Sequence, residues 1–430
     1  MLLADGGSAL VRAVRPDDAP RVAAFHRALS LETVHFRYFS GLCELPPLIL
    51  RRFTQVDFAR DMVLLAEVGE RMIALASWHR GKLEDGAEVA FVVADEHQGR
   101  GLGTLLFERL VELARERGLT RFRADTLAGN RAMLRVFRDA GFALERESDD
   151  AAVVHLRFAI GETESSRGAH DRREHLAEAR SIARLLAPRA LWLTGERCAD
   201  TARLRELGYS GGLYTDLERV PPGVELVLFR GRAEELPGLV AQCAAAGAHA
   251  LVLDELREEP AGQAERALFD HELRIAVRRN GMRLVGPDSL GIVNTAPGVA
   301  LCTAPLARAP ARGGLGLACD SSALALELVE GEGLGAAGLS SFVGLGRRAD
   351  VSANDLLQYW QDDPATRAIA LAVESSGNPR KLERIATAVA AVKPLVALAS
   401  GGEHDALLRR AGAELFETPQ KLAARARDLA

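Results

Sequence analysis

Cysteine is scarce and without pattern. The 430 residues hold five, Cys43, Cys198, Cys243, Cys302 and Cys319, an odd number with no C-x-x-C pair. That spacing excludes a zinc ribbon or a disulfide frame and fits reduced thiols in a cytosolic protein, so no metal is expected. Long uncharged runs are missing too. The stretch from Gly333 to Gly346 is short and rich in glycine and serine, and nothing in the chain reads as a membrane span. The opening MLLADGGSALVRAVRPDDAP lacks a basic n-region followed by an apolar core, so no signal peptide is expected and the compartment is read as cytoplasmic. There is no excess of positive charge. Lys and Arg number 54 against 59 Asp and Glu, for a net charge of −5, and neither the first 160 residues nor the remainder is basic. A nucleic-acid or anionic-membrane binder is excluded on that ground. Lysine itself is rare (Lys82, Lys381, Lys393 and Lys421), which with abundant Ala and Gly suits a GC-rich bacterial genome.

With 48% hydrophobic and 26% charged residues, the chain is an ordinary globular composition of about three domains. Residues 9–160 read as one mixed α/β unit. LVRAVRP is a strand, and helices are expected around Arg21–Leu29 and Pro46–Phe53. MVLLAEV and RMIALASWH form a hairpin, and AEVAFVVA is a strand running into a glycine loop. Apolar residues at helical spacing follow from Leu102 to Arg117, then the strand RFRADTL and a helix at Arg131–Ala140 closed by Gly141. Residues 161–187 are read as a polar linker, GETESSRGAHDR, and a charged helix stopped by Pro188. Beyond it, ALWLT, ELVLF, HALVL and MRLVG, then LGLAC, LSSFVG, AIALAV and PLVALAS, alternate with helical stretches. Two parallel α/β lobes are expected, 188–296 and 312–430, separated by a break at Pro297–Gly313.

The most informative stretch is VVADEHQGRGLGTLLFERL, a strand, a loop with Gly99, Gly101 and Gly103, and a helix. Such a loop turns successive N–H groups into one concavity at a helix N-terminus, where a pyrophosphate fits. A dinucleotide fingerprint would need G-x-G-x-x-G after the first strand and an acid about 20 residues later. Here the spacing is Gln98-x-x-Gly101-x-Gly103, after several strands, which disfavours NAD.

This Q-x-x-G-x-G pattern resembles the acetyl-CoA loop of the GNAT acetyltransferase superfamily, and NRAMLRVFRDAGF resembles that superfamily's second signature helix. The resemblance covers residues 9–159. It implies a twisted mixed sheet with helices, and a CoA pyrophosphate held by the backbone of Gln98, Gly99, Arg100, Gly101, Leu102, Gly103 and Thr104. It further implies a pantetheine arm paired with Phe91, Val92 and Val93, and Asn130 beside that arm. Asn130 also reads as an N-cap, and the two roles are compatible.

Acetylating a lysine requires a base, because the ε-ammonium has a pKa of about 10.4. Glu88 is the candidate, on the same strand face as Ala90 and Val92. A solvated glutamate at a strand start is the alternative. The resemblance to bacterial protein lysine acetyltransferases, whose general base is a glutamate at the matching place, favours the base. Glu67 is a fallback expected to face solvent, while His79 and His97 read as surface histidines. Phe137 stands where many GNAT enzymes have an acidic tyrosine, and reads as core.

RLVGPDSLGIVNTAPG, LSSFVGLGRRADVSANDLLQYWQDDPATR and ESSGNPRK resemble the CoA-ligase-like part of NDP-forming acyl-CoA synthetases, with a Rossmann-like CoA-binding lobe and a flavodoxin-like succinyl-CoA-synthetase-like lobe. A GNAT domain fused to such a region is the hallmark of bacterial protein lysine acetyltransferases. It implies a protein partner presenting lysine, an AMP-forming acyl-CoA synthetase among the candidates. Ligase parts are missing. No S-H-T-G-A-like loop follows KPLVALASGG, no ATP-grasp domain is apparent, and His404 reads as surface. Only Gly195 remains of the first-strand glycine loop, Ser322 stands in for a glycine in CDSSALAL, and Arg347 replaces asparagine in Gly346–Asp350. The region is expected to regulate or recruit rather than catalyse. The alternatives are a small-molecule amine acetyltransferase and a non-catalytic acyl-CoA-binding regulator.

Overall fold

A computed structural model describes residues 1–81, 86–149, 152–215, 220–331, 333–375 and 378–430. Ser376 and Gly377 of the ESSGNPRK stretch lie outside it. The chain divides into two compact units, Met1–Glu174 and His175–Ala430.

The first unit is built on one twisted sheet of seven strands: β1 (Leu10–Ala13), β2 (Asp61–Val68), β3 (Arg71–His79), β4 (Gly86–Val93), β5 (Arg121–Leu127), β6 (Glu145–Asp149) and β7 (Val153–Ala159). Their order is β1-β2-β3-β4-β5-β7-β6, and every pair is antiparallel except β4 with β5. The helices are α1 (Ala19–Arg27), α2 (Leu31–Tyr38), α3 (Pro47–Thr54), α4 (Leu102–Glu116) and α5 (Arg131–Asp139). Period-2 alternation sends β4 residues to opposite faces. Ala87, Val89 and Phe91 join the core containing Phe107 and Leu110 of α4, and Val92 joins Phe25, Phe53 and Leu75 on the other face. Phe137 is buried at the centre of an aromatic cluster, 5.2 Å from the Phe107 ring and 5.8 Å from Phe91.

Two sequence expectations change here. Residues 31–38, assigned no element, form α2: Ser30 caps it by accepting from the Thr33 N–H (3.2 Å). The stretch 161–172, read as linker, lies largely inside a helix, α6 (Glu164–Leu186). Thr163 and Ser166 supply the reason, because each side-chain oxygen accepts the other residue's N–H (3.1 and 3.0 Å), which starts the helix despite its polar composition.

The second unit holds two sheets. β8 (Ala190–Gly195), β9 (Gly212–Thr215), β10 (Leu226–Arg232), β11 (Ala250–Arg257) and β12 (Arg283–Val285) are all parallel, in the order β12-β11-β10-β8-β9. The other sheet contains β13 (Gly291–Asn294), β14 (Leu301–Cys302), β15 (Arg312–Cys319), β16 (Leu339–Gly344), β17 (Ala368–Ala372), β18 (Leu395–Leu398) and β19 (Glu414–Phe416). Its order is β14-β13-β16-β15-β17-β18-β19, parallel from β16 to β19, so this sheet recruits residues ahead of the Pro297–Gly313 break. Arg283 is buried with an acidic shell: Asp350 (2.9 Å), Glu178 (2.9 Å) and Asp355 (3.3 Å). Burial and the nearby Asp355 push the Glu178 carboxyl up, against the pull of Arg283 and Lys381.

These two units generate two expectations. Arg283→Met takes the shared cation from three buried carboxyls, leaving Asp350 only Arg278 and Glu178 only Lys381, and is expected to destabilise the second unit by about 3 kcal/mol, whereas Glu178→Gln costs much less, as read by urea denaturation. In the first unit, the hydrogen bond from Arg12 brings the buried Asp18 down to about 2 from 3.8. Its contribution, about 2 kcal/mol, is full above pH 4 and lost as pH falls through 2. Hydrogen exchange of β1 and β2 amides should therefore accelerate over that window, and Asp18→Asn should remove the dependence.

Candidate active site

The β4–β5 pairing stops early. Register partners run only from Gly86↔Arg121 to Glu88↔Arg123, while β4 stays paired with β3 from Glu88 through Val93 and β5 with β7 through Leu127. Beyond Glu88 the two parallel strands part, and one edge of β4 has no strand neighbour among the described residues. A cleft of about 440 Å³ lies along the far end of β4. Its walls come from β4 (Phe91, Val92, Val93), the glycine loop, α5 and α2.

The loop is shaped for a ligand. Gly99 and Gly101 have φ of +75° and +78°, which side chains other than glycine's rarely adopt. Gly103 admits α4 against the sheet, since a Cβ there would sit 3.3 Å from Val136 and 3.5 Å from the Phe91 ring. Among the described residues, the amides of Gly99 to Thr104 find no acceptor within the chain, and Leu102 to Thr104 open α4, so N–H groups and helix dipole favour an anion there. Gln98 differs from expectation: its N–H donates to the Asp95 carbonyl (3.3 Å). Its side-chain amide donates to Thr33 Oγ1 (3.1 Å) and the Val93 carbonyl (3.2 Å), so Gln98 ties the loop to strand and helix. Arg100 does not line the cleft, because its guanidinium is taken by Asp5 (2.8 Å) and His97 Nδ1 (2.7 Å).

Asp95 anchors the other side. It accepts from the Ser30 N–H (2.9 Å), Ser30 Oγ (2.6 Å) and Thr33 Oγ1 (2.6 Å), and these bonds outweigh its partial burial and hold its pKa low. Asn130 lines the cleft while its Oδ1 caps α5 by accepting from the Met133 N–H (3.0 Å), so the cap and the cleft position coexist.

Glu88 is exposed, at the fork, on the same sheet face as Val92; its side chain makes no hydrogen bond or ion pair among the described residues, and it is not one of the residues that line the cleft. Glu67 is corrected: it is buried, 2.7 Å from Arg21 and 3.5 Å from Arg12, and does not line the cleft. His79, Glu88's register partner on β3, has Nδ1 3.1 Å from Asp61 and is mostly buried, and burial together with Arg52 lowers its pKa. His97 borders the cleft, its pKa lowered by burial and Arg100. His404 is likewise corrected. It is buried at the start of the helix Gly402–Arg410, and burial lowers its pKa.

Sequence reasoning missed Thr33, Phe36 and Arg37 of α2, and Met133, Arg135 and Val136 of α5. The Ser30-x-x-Thr33 cap signal would have marked the first group, and the helical spacing after Asn130 the second.

Comparison with known proteins agrees with this geometry. The acetyltransferase (GNAT) family matches residues 28–142, and the succinyl-CoA ligase like flavodoxin domain matches residues 312–414. The acetyltransferase PA5475 of Pseudomonas aeruginosa is 32% identical over 162 residues, which is 37% of this chain and 87% of that protein. The crystal structure of the GNAT domain of S. lividans PAT is 39% identical, covering 37% of this chain and 94% of that one, with a TM-score of 0.36. An ADP-forming acetate–CoA ligase of Archaeoglobus fulgidus is 30% identical over 188 residues, 44% of this chain, but the chain spans only 27% of that ligase. The expected fold class holds: a GNAT unit, then parallel α/β sheets of the CoA-ligase-like kind. The family uses acetyl-CoA, and the Pseudomonas relative is an acetyltransferase. The fork, the glycine loop and these kinships have one conclusion, that the chain belongs to the GNAT family of N-acetyltransferases.

Proposed function

We infer that the chain acetylates lysine side chains of proteins, with acetyl-CoA as donor and Glu88 as general base. The carrying observation is the position of Glu88, a carboxylate with no partner among the described residues at the point where β4 leaves β5. The free amides of Gly99 to Thr104 suit a diphosphate, and the unpaired edge of Val89–Val93 suits the amides of a pantetheine arm. A donor held on those two features would run along β4 with its acyl end toward Glu88, which supports this reading. The donor supplies a thioester carbonyl carbon. Glu88 removes a proton from the lysine ammonium, leaving a neutral amine to attack that carbon. An N–H along the open edge of β4 donates to the oxyanion. As the tetrahedral species collapses the nitrogen's surplus proton passes to water, the C–S bond breaks and the CoA thiolate departs. Phe137 is buried and carries no proton, so the thiolate leaves without an acid from that position.

The second unit recruits or regulates in this reading, and does not ligate. At the end of β8, the site of a Rossmann-like lobe where ligands bind, Arg197 is buried, paired with Asp200 (2.8 Å) and Asp254 (3.2 Å) and donating to the Thr303 carbonyl (2.6 Å). Arg347 is filled by Glu259, Asp270 and Asp288 at 2.6–3.0 Å. Side chains of the chain itself take the place a ligand would use. The lobes at 188–296 and 312–430, with 161–187 between them and the acetyltransferase unit at 9–160, remain the division proposed. An AMP-forming acyl-CoA synthetase is the proposed protein partner.

Glu88→Gln is expected to lower kcat by about 10²–10⁴ while acetyl-CoA affinity stays within about threefold, since the residue is exposed and only the base is lost. Turnover at the full wild-type rate would remove Glu88 from the mechanism. For the acceptor, the chain and acetyl-CoA are incubated with purified AMP-forming acyl-CoA synthetases, and the lysines are read by mass spectrometry. Acetyl-lysine supports the assignment. In a lysate with labelled acetyl-CoA, label confined to small amines would replace it with a small-molecule acetyltransferase, and donor binding without any transfer would leave a regulator.

A further inference from the structure

Two helices of the second unit cover one face of the sheet β12-β11-β10-β8-β9. α7 (Leu236–Ala246) joins β10 to β11, and α8 (Gln263–Arg279) joins β11 to β12. Both are crossovers between parallel neighbours and step the same way across the sheet, so their right-handedness sets them side by side on one face. Leu239, Val240 and Cys243 of α7 accordingly share a core with Leu273 and Val277 of α8.

The outer side of this pair is not that of a solvated helix layer. α7 reads LPGLVAQCAAA, and among the described helices of eight or more residues it is the one without a charged side chain. A surface helix ordinarily sets charged residues opposite its buried stripe. Here the outward positions are Pro237, Gly238, Ala241, Gln242 and Ala245, all exposed. On α8 the outward stripe, spaced i, i+4, i+7 and i+11, is Ala264, Leu268, His271 and Ile275, with Leu268 58% and Ile275 40% exposed. At about 1.5 Å per residue and about 10 Å in width, the two helices offer a face roughly 20 Å across and up to about 25 Å long, close to one side of a standard dimer interface.

Charge selects the occupant. The first turn of α8 carries the exposed Glu265, its last turn carries Arg279, and His271 and Glu272 stand midway. We propose that the α7–α8 face is an isologous interface with a second copy of this chain, the facing helices running antiparallel. A twofold axis beside His271 sets Leu268 of one copy against Ile275 of the other and Glu265 against Arg279. His271, whose Nδ1 is 2.8 Å from Arg274 Nη2, then lies beside Glu272 of the other copy. The same operation lays α7 on α7, where glycine and alanine let the backbones approach and no charge is buried. Neither Glu88 nor the cleft takes part, so the interface stands or falls apart from the acetyl transfer.

The test is sedimentation velocity of the full chain from about 1 to 100 μM, where an interface of this size should double the mass from 46.2 kDa with a micromolar midpoint. Ala241→Arg and Leu268→Arg each place a charge within the face and should raise the dimer Kd at least about tenfold. Val392→Arg, at an exposed apolar residue elsewhere, should leave it unchanged. All three positions are exposed, so the circular dichroism spectra should match that of the wild type. A chain that stays monomeric at 100 μM overturns the proposal, as does a dimer that survives both Ala241→Arg and Leu268→Arg. Direction is read by disulfide trapping in a Cys43→Ser, Cys198→Ser background. Chains with Leu268→Cys should cross-link to chains with Ile275→Cys and not to themselves, and self-linking alone would overturn the antiparallel arrangement.

Discussion

The parting of β4 from β5 after Glu88 is the constraint on which the site depends. Two parallel strands bonded along their whole length would leave no room between them and no unused backbone. Stopping the ladder at Glu88↔Arg123 creates both. Gly103 supports the opening from below, because the absence of a Cβ lets α4 rest on Phe91 and Val136 and places the start of the helix at the mouth of the cleft. The aromatic cluster around Phe107 holds the two diverging strands on a common base.

Much of this was legible in the sequence, for definite reasons. Glycines at the turn, the alternation in GAEVAFVV and the helical spacing from Leu102 are local signals, and local signals survive folding. What escaped depends on partners distant in the chain. Glu67 reads as a strand glutamate in water, yet Arg12 and Arg21, 55 and 46 residues earlier, meet it in the core. His404 reads as a surface residue at a helix start, yet it is buried. Helix α2 was missed because LETVHFRY offers no clean apolar stripe, and its stability comes from a cap and from Asp95, more than 60 residues away. The missing helix carried with it one wall of the cleft, Thr33, Phe36 and Arg37.

The second unit illustrates a different economy. Its fold keeps the parallel strands of a ligand-binding α/β architecture, while the ends of those strands are filled by arginines of the chain with acidic partners. Ion pairs closed in this way give geometry more than stability, because each charge has been taken from water. Arg283 and its carboxylates fix the half of α6 that belongs to this unit to β12 and to the helix Ala353–Asp362.

Gln98 and Thr33 form a short bridge whose reach is longer than its two bonds. One end holds the turn that would cradle the donor's phosphates, and the other is the first turn of the helix that ends in Arg37 and Tyr38. The turn is thereby coupled in stiffness to the α2 wall of the cleft. Turn and wall, though built from distant parts of the chain, lean on a single strut.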